Sequence, residues 1–486
     1  MLRENTLERK RLEPGRALKS SQTIWESRNV ALLETYIGIP NKSPHFDPDW
    51  EKNGHMGRAV DLYRKWAEDR KEAIPGLSVE VLQIPGKTPL IYIEIPGTLP
   101  EKEADSKNIL LYGHLDKQPE FTGWKEGLEP WKPVRRGDRL YGRGGADDGY
   151  AMPAALTAYE LLAEQGVPYS RASLIIEASE ESGSPDLPEY LELIAPRIGT
   201  PDMVICLDSG AGDYKRLWNT TSLRGLVAGT LEVKVLENGV HSGAGSGVGG
   251  DPHRIAASLL SRIENLETGE VTLPALHTTI PPERIEEAKQ TAELLGDEIA
   301  SSLPFLEGVE SMHGDPAELL LNRTWRPAIT VIGVDGLPSI EKAGNTLAPG
   351  VDWKLSTRIP AGVNAKEAAL AMKEVLEKDP PHNAKVTFNA EGSEGWNAPK
   401  SKPWLEDSLR SASENYFGNP SAGQGEGGSI PFMKMLGDKF PEAQFLVTGV
   451  LGPESNAHGP NEFLEIEFVK KLNAAVAQVI ADHAAA

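Results

Sequence analysis

The stretch Ile109-Leu-Leu-Tyr-Gly-His-Leu-Asp116 places a short apolar run directly before a histidine and an aspartate. An apolar run of this length is typical of a buried strand. Similar runs at residues 172–178 and 203–207 precede the pair Glu180-Glu181 and the residue Asp208. Ligands of open α/β sheets bind at the carboxyl ends of the strands. The sequence therefore predicts that these polar side chains meet at one edge of a sheet.

Strand-like and helix-like segments alternate on either side of this stretch. Further strands are predicted at residues 77–84 and 90–95, and helices at 59–66 and 151–165, from their apolar spacing. This alternation predicts an α/β fold with a mixed, mostly parallel sheet flanked by helices.

The pattern changes near residue 220 and returns near residue 398. Between these points it predicts a smaller α+β unit, with strands at 226–236, 328–334, 351–358 and 385–389 and helices at 252–266, 282–295 and 365–377. A helix at 404–416, a strand at 444–450 and a helix at 465–483 follow. We expect a first domain at 1–218, an inserted domain at 219–397, and the rest of the first domain at 398–486.

The bulk composition excludes several classes of protein. The 486 residues are 39% hydrophobic and 25% charged, as in a globular chain with more than one domain. The net charge of −21 argues against nucleic acid, whose phosphates need a basic surface. The one cysteine, Cys206, lies in an apolar run and excludes an intrachain disulfide.

No stretch approaches the length of a membrane span, and the segment 1–21 has no apolar core of a secretion signal. We therefore expect a cytoplasmic protein that does not bind membranes.

Six residues have the chemistry of a two-metal hydrolase site: His114, Asp147, Glu180, Glu181, Asp208 and His458. Imidazole and carboxylate ligands without thiolate suit zinc, manganese or cobalt, and one carboxylate can bridge two ions. One glutamate of the pair is left to act as a base. Asp116, on the same side of an extended segment as His114, can orient the imidazole. Each residue alone has an ordinary interpretation as a turn or surface residue, and only the combination indicates chemistry.

The chain resembles the M20 family of metallopeptidases, most closely its branch of carnosinases and cytosolic nonspecific dipeptidases. The resemblance extends over roughly residues 110 to 462. It rests on Tyr-Gly-His114-Leu-Asp116, Gly-Arg-Gly-Gly-Ala-Asp147-Asp148, Glu180-Glu181-Ser-Gly-Ser, Ser-Leu-Arg224-Gly-Leu, His241-Ser-Gly, Gly-Gly-Ser429-Ile-Pro and Ala-His458-Gly-Pro-Asn-Glu.

The resemblance implies a zinc-peptidase-like catalytic domain and a role for each site residue. His114 and Asp208 would bind one metal ion, Glu181 and His458 the other, and Asp147 both. The peptide bond from Asp147 to Asp148 would be cis. Glu180 would be the general base. Zinc is the expected metal, with manganese and cobalt as alternatives.

The resemblance also implies that the inserted domain is a lid that forms a homodimer. His241 of the partner subunit would stabilise the oxyanion, helped by Thr346, and Arg358 with Ser429 would bind the substrate's free carboxylate. The family usually has Lys-Gly after the Asp-Asp pair, whereas this chain has Gly149-Tyr150. We expect activity to survive this difference because the ligands are unchanged, with an effect on substrate preference or metal affinity.

The expected reaction is hydrolysis of the amide bond of a dipeptide or another short substrate with a free C-terminal carboxylate. Three alternatives stay open. An N-acyl amino acid deacylase or desuccinylase of the same family would use the same metals. A catalytically silent peptide-binding protein would have lost Glu180 or a ligand. A monomeric exopeptidase would not depend on His241.

Overall fold

The computed structural model describes residues 10–100 and 107–486. The first nine residues of the segment 1–21, which the sequence predicts to carry no secretion signal, lie outside the described residues.

The described chain alternates strands with helices over most of its length. The strands are β1 Ser78–Leu82, β2 Leu90–Ile95, β3 Asn108–His114, β4 Val134–Arg136, β5 Arg139–Tyr141, β6 Arg171–Glu177, β7 Met203–Cys206, β8 Trp218–Leu223, β9 Gly225–Lys234, β10 Val240–His241, β11 Ala328–Asp335, β12 Thr346–Leu347, β13 Gly350–Ile359, β14 Lys385–Ser393, β15 Trp396–Asn397, β16 Ala422–Glu426, β17 Gln444–Val447 and β18 Phe463–Glu465. The helices are α1 Pro14–Ile24, α2 Val30–Ile37, α3 Trp50–Asn53, α4 His55–Glu68, α5 Ala151–Gln165, α6 Leu187–Ile198, α7 Ser242–Gly245, α8 Pro252–Leu260, α9 Pro282–Leu295, α10 Glu298–Ser301, α11 Pro316–Thr324, α12 Ala365–Glu377, α13 Pro403–Phe417, α14 Pro431–Lys439 and α15 Ile466–Ala485.

The chain forms two compact units. The first contains the described residues of Met1–Thr220 together with Ala398–Gly423 and Met435–Ala486, and the second contains Thr221–Asn397 and Gln424–Lys434. A catalytic domain at 1–218 and 398–486 and a lid/dimerisation domain at 219–397 stay a proposal.

The first unit is built on a six-stranded sheet in the order β1-β2-β6-β3-β7-β17. The neighbours β6, β3, β7 and β17 run parallel, whereas β1 and β2 pair antiparallel. Every residue of β3 is buried, as expected for a parallel strand covered on both faces. Helix α5 is buried over nearly its whole surface. The prediction of an α/β fold with a mixed sheet and flanking helices is confirmed.

The second unit contains a four-stranded antiparallel sheet in the order β11-β13-β9-β14. Burial alternates along β9 and β13, which shows that one face of this sheet covers a core and the other does not. Apolar residues of helices α8 and α12 belong to that core, with Leu231 and Leu355 from the sheet.

Three predicted helices, at 151–165, 282–295 and 365–377, match the observed bounds, whereas several other elements are shorter than predicted, among them helix α8 and strand β17. Helix α8 ends at Leu260 rather than 266, because the chain turns back and Glu264 pairs with Val271. Strand β17 ends at Val447 rather than 450. At Gly449 a Cβ atom would lie 1.7 Å from the carbonyl oxygen of Ser209, so the backbone passes too close for any side chain.

Among the helices of the described residues, none has both the length and the apolar character needed to cross a membrane.

Candidate metal centre

His114 is the last residue of strand β3, at the carboxyl edge of the six-stranded sheet. Its Nδ1 lies 3.2 Å from the carbonyl oxygen of Asp116, and its Nε2 lies 3.3 Å from Oδ1 of Asp147 and 3.7 Å from Oδ1 of Asp208. A proton on Nδ1 donated to Asp116 would leave the Nε2 lone pair for a metal ion. His114, Asp147 and Asp208 therefore form a first group of possible ligands.

His458 completes a second group with Asp147 and Glu181. Its Nε2 lies 3.0 Å from Oδ2 of Asp147 and 3.2 Å from Oε2 of Glu181. Asp147 thus turns one carboxylate oxygen to each histidine. A carboxylate in this position can bridge two ions.

Asp147 lies in an irregular turn, and its peptide bond to Asp148 is cis, as expected from the family resemblance. Asp148 is buried, and its Oδ2 accepts a hydrogen bond of 3.1 Å from the backbone N–H of His114. Burial, followed by the charge of Asp208, raises the pKa of Asp148 well above its usual range. Asp148 is therefore placed to hold the backbone of His114 at the end of strand β3.

Glu180 and Glu181 lie in a 3₁₀ turn, Glu180–Ser182, that follows strand β6. Oε2 of Glu180 lies 3.9 Å from Nε2 of His114. Burial, and next the charge of Asp208, raises the pKa of Glu180 well above its usual range. The two side chains of the pair have separate partners, because Oε2 of Glu181 accepts a hydrogen bond of 2.6 Å from Gln118 and lies beside His458.

The electrostatics of the site favour bound cations. Burial lowers the pKa of His458, but Glu181 and Asp147 outweigh it and raise the value to about 11. Burial would raise the pKa of Asp147, but its hydrogen bonds to His114 and His458 lower it. The same carboxylates that favour a proton on each histidine would favour a divalent ion in its place.

The donor set fits two divalent ions. Two imidazoles and three carboxylates supply only nitrogen and oxygen ligands. With Glu180 there are four carboxylates, whose negative charges equal the positive charge of two divalent ions. Oε1 of Glu181 is buried and has no hydrogen-bond partner among the described residues. An unpaired buried oxygen on a carboxylate that lies beside His458 is suited to bind an ion.

The four remaining predicted residues lie in the second unit and form two pairs. His241 and Thr346 are opposite each other on β10 and β12, and both are exposed. Nδ1 of His241 accepts a hydrogen bond of 3.0 Å from the N–H of Gly243, which leaves Nε2 as the donor of the neutral ring. Nη1 of Arg358 donates a hydrogen bond of 3.2 Å to Oγ of Ser429.

Gly149, which stands where the family usually has a lysine, is tightly packed. A Cβ atom at Gly149 would lie 2.3 Å from Cε1 of Tyr36, so no side chain fits there. The centre of the Tyr36 ring instead lies 3.8 Å from Nζ of Lys117, a buried lysine on the segment of His114. The hydroxyl of Tyr150 donates to the carbonyl of Leu207, next to Asp208.

Sequence reasoning missed two buried residues that contact the ligand-bearing loops, Arg143 and Glu462. Both lie inside motifs quoted for the family resemblance, Gly-Arg-Gly-Gly-Ala-Asp and His-Gly-Pro-Asn-Glu. Their position beside ligands was the available signal.

The chain is similar to several known proteins. The sequence profile described as Peptidase family M20/M25/M40 matches residues 110–482. The cysteinylglycine-S-conjugate dipeptidase of Corynebacterium striatum is 30% identical over 379 residues, which are 76% of this chain and 80% of the relative. The Beta-Ala-His dipeptidase of Homo sapiens is 27% identical over 391 residues, covering 77% and 73% of the two chains.

Two solved structures have a similar fold. The di-peptidase Dug1p of Saccharomyces cerevisiae has a TM-score of 0.79 at 19% identity and covers 98% of this chain and 100% of its own. Human carnosine dipeptidase 1 has a TM-score of 0.77 at 19% identity and covers 97% and 99%.

Proposed function

The chain belongs to peptidase family M20/M25/M40, and on that premise we propose that it is a two-metal dipeptidase. It would hydrolyse the amide bond of dipeptides, or of similar short substrates, that have a free C-terminal carboxylate. The observation that supports this most directly is Asp147, whose two oxygens lie 3.3 Å and 3.0 Å from the Nε2 atoms of His114 and His458.

Two divalent ions, when bound, would polarise the amide carbonyl and lower the pKa of water. His114 and Asp208 would hold one ion, His458 and Glu181 the other, and Asp147 both. Glu180 would accept the proton of the attacking water and return it to the leaving amine. Its raised pKa, caused first by burial, favours the step that returns the proton to the amine.

Arg358 and Ser429 would bind the substrate's C-terminal carboxylate. Their hydrogen bond brings a guanidinium and a hydroxyl to one place, and a guanidinium fork matches a carboxylate. His241 of the partner subunit, with Thr346, would stabilise the oxyanion. Exposure of both side chains and the free Nε2–H of His241 support this role.

Relatives favour a peptide over an acyl amino acid as the substrate. The two curated relatives named above are both dipeptidases, and one is named for the substrate Beta-Ala-His. A deacylase would keep the same metal ligands, so the acyl side of the substrate distinguishes the two functions.

We also propose that the second unit forms a homodimer. Strand β11 is an edge strand of its sheet, and Val331, Ile332 and Val334 on it are exposed. Exposed apolar residues on an edge strand are typical of an interface with another chain. Zinc as the metal and a cytoplasmic location stay predictions, which metal analysis and cell fractionation would test.

The test is bound metal measured together with activity. Protein purified without chelator would be analysed for metal and assayed on dipeptides, N-acetyl and N-succinyl amino acids and longer peptides, before and after metal removal and re-addition. We expect about two ions per chain and chelator-reversible cleavage of dipeptides. Cleavage of acyl amino acids alone would move the function to the deacylase. Lack of metal and of activity with zinc, manganese or cobalt would refute the proposal.

A further inference from the structure

Arg143 and Glu462 form an ion pair inside the first unit, and the proposed reaction assigns no role to either. Nη1 of Arg143 lies 2.7 Å from Oε2 of Glu462, and the two side chains are 1% and 0% exposed. Removing two charges from water is costly, and a buried pair is weak evidence for stability. The contacts of this pair therefore suggest another reason for its presence.

The carboxylate of Glu462 organises the turn that carries Asp147. Its Oε1 accepts hydrogen bonds from the backbone N–H groups of Gly144, Ala146 and Asp147, at 3.0, 3.2 and 3.2 Å. The carbonyl of Glu462 accepts a further bond of 3.0 Å from Gly142. One carboxylate oxygen thus holds the backbone of the turn that carries the Asp147 side chain.

The guanidinium of Arg143 connects two other ligand-bearing loops. Its Nη2 donates a hydrogen bond of 2.6 Å to the carbonyl of Gly459, the residue after His458. Its Nε donates one of 3.1 Å to the carbonyl of Pro119, in the loop that follows His114. A planar guanidinium can direct donors to three acceptors at once, whereas a lysine ammonium is a point charge on a flexible stem.

The His458 loop needs such external contacts. His458 and Asn461 have positive φ angles of 64° and 63°, and other residues than glycine adopt this conformation only where their surroundings hold them in it. Besides the Arg143 contact, the side chain of Asn461 accepts a hydrogen bond of 2.8 Å from the N–H of Lys125.

We propose that Arg143 and Glu462 are positioning residues that hold Asp147 and His458 in place, so that both metal positions form together. The inference rests on the proposed function, because it requires that the centre binds two ions. Groups that orient metal ligands change affinity without touching the ion, typically by 10–100-fold.

The test measures cobalt(II) binding to Glu462→Gln and Arg143→Lys. Affinity and stoichiometry would come from competition with a chelating dye, and ligand geometry from the visible spectrum of the bound cobalt. We expect each variant to bind cobalt at least about tenfold more weakly at both positions, with an altered spectrum. The folding of the metal-free variants would be checked by circular dichroism.

Two further proteins separate positioning from general stability. Glu160→Gln alters another buried carboxylate of the same unit, paired with Arg28 and Arg70 away from the ligand loops. This control should lose stability but bind cobalt like the wild type. The double variant Arg143→Gln with Glu462→Gln leaves no charge unpaired, and it gives the answer if a single variant does not fold.

Folded variants that bind two cobalt ions with wild-type affinity and spectrum would overturn this inference alone. Loss of one ion with the other unaffected would also overturn it, because Asp147 belongs to both ligand groups. Wild-type protein that takes up no cobalt would instead refute the proposed function, and the inference with it.

Discussion

Oδ1 of Asp116 accepts a hydrogen bond of 3.1 Å from the backbone N–H of Glu180. Oδ2 accepts another, of 3.0 Å, from the N–H of Glu181, and Oδ1 also lies 3.4 Å from Nδ1 of His114. Asp116 therefore contacts the imidazole of His114 and also caps the turn that carries the proposed base and a proposed ligand.

Asp116→Asn should lower kcat by about 10–100-fold, the usual effect of losing a group that orients metal ligands. The asparagine retains one acceptor oxygen, so one of the two backbone N–H groups would face an amide NH₂ instead. Steady-state kinetics with bound-metal analysis would check this. Wild-type kcat in a fully metal-loaded Asp116→Asn protein would contradict the role of this carboxylate.

Glu180→Gln should bind two metal ions and lose about 100-fold or more in kcat. General acid–base catalysis contributes about 10²–10⁴-fold, and an amide of similar shape cannot take up the proton. The matched control is Glu192→Gln on the exposed face of helix α6, which should leave kcat unchanged. Near-normal turnover of Glu180→Gln would show that another group is the base.

Mixing two inactive variants tests whether the site is shared between subunits. If His241 acts in the partner subunit, a heterodimer of Glu180→Gln and His241→Ala chains contains one site with both residues intact. Random exchange of subunits should then restore about a quarter of wild-type activity, because half of the dimers are mixed and each has one good site. Co-expressed chains with two different tags allow the mixed dimer to be isolated. A His241→Ala protein that is fully active by itself would favour the monomeric alternative, and no recovery from two inactive chains would contradict a site shared between subunits.

The sequence predicted the sheet, and which polar side chains meet at its edge, because these signals are local. The apolar run before His114 and the helix at 151–165 can be recognised from consecutive residues alone. The end of β17 depends on the approach of Gly449 to Ser209, and the coupling of Arg143 to Glu462 joins residues 319 positions apart. Such contacts leave no periodic pattern, so only the folded chain reveals them.

Arg358→Lys should raise KM for dipeptides by about 10–100-fold with a smaller change in kcat. Hydrogen bonds to a charged group contribute about 1.5–3 kcal/mol, and lysine cannot reproduce the guanidinium fork. Ser429→Ala should have a smaller effect in the same direction. The control substrate is the corresponding dipeptide amide, whose neutral end should make wild type and variant similar. An equal loss on dipeptide and dipeptide amide would contradict carboxylate recognition by this pair.

Glu177 makes the stability of the metal-free protein depend on pH. It is buried below the Glu180 turn and accepts hydrogen bonds from Tyr112 (2.6 Å) and Ser184 (2.8 Å). Burial, with the charge of Asp116, raises the pKa of Glu177 from 4.5 to about 7. The folded state therefore binds this proton more tightly than the unfolded state. Its stabilising contribution is complete below pH 4.5 and is lost as the pH rises through 7.

Glu177→Gln should remove this dependence, because the amide is neutral at every pH and its oxygen can still accept both hydrogen bonds. Relative to wild type, the variant should gain roughly 1–3 kcal/mol of unfolding free energy between about pH 5 and pH 8.5, since one pKa unit corresponds to about 1.4 kcal/mol. Urea unfolding at both pH values would measure this difference in unfolding free energy. The protein would be treated with chelator, so that loss of metal ions does not interfere. A difference between variant and wild type that is the same at both pH values would show that Glu177 keeps an ordinary pKa in the fold.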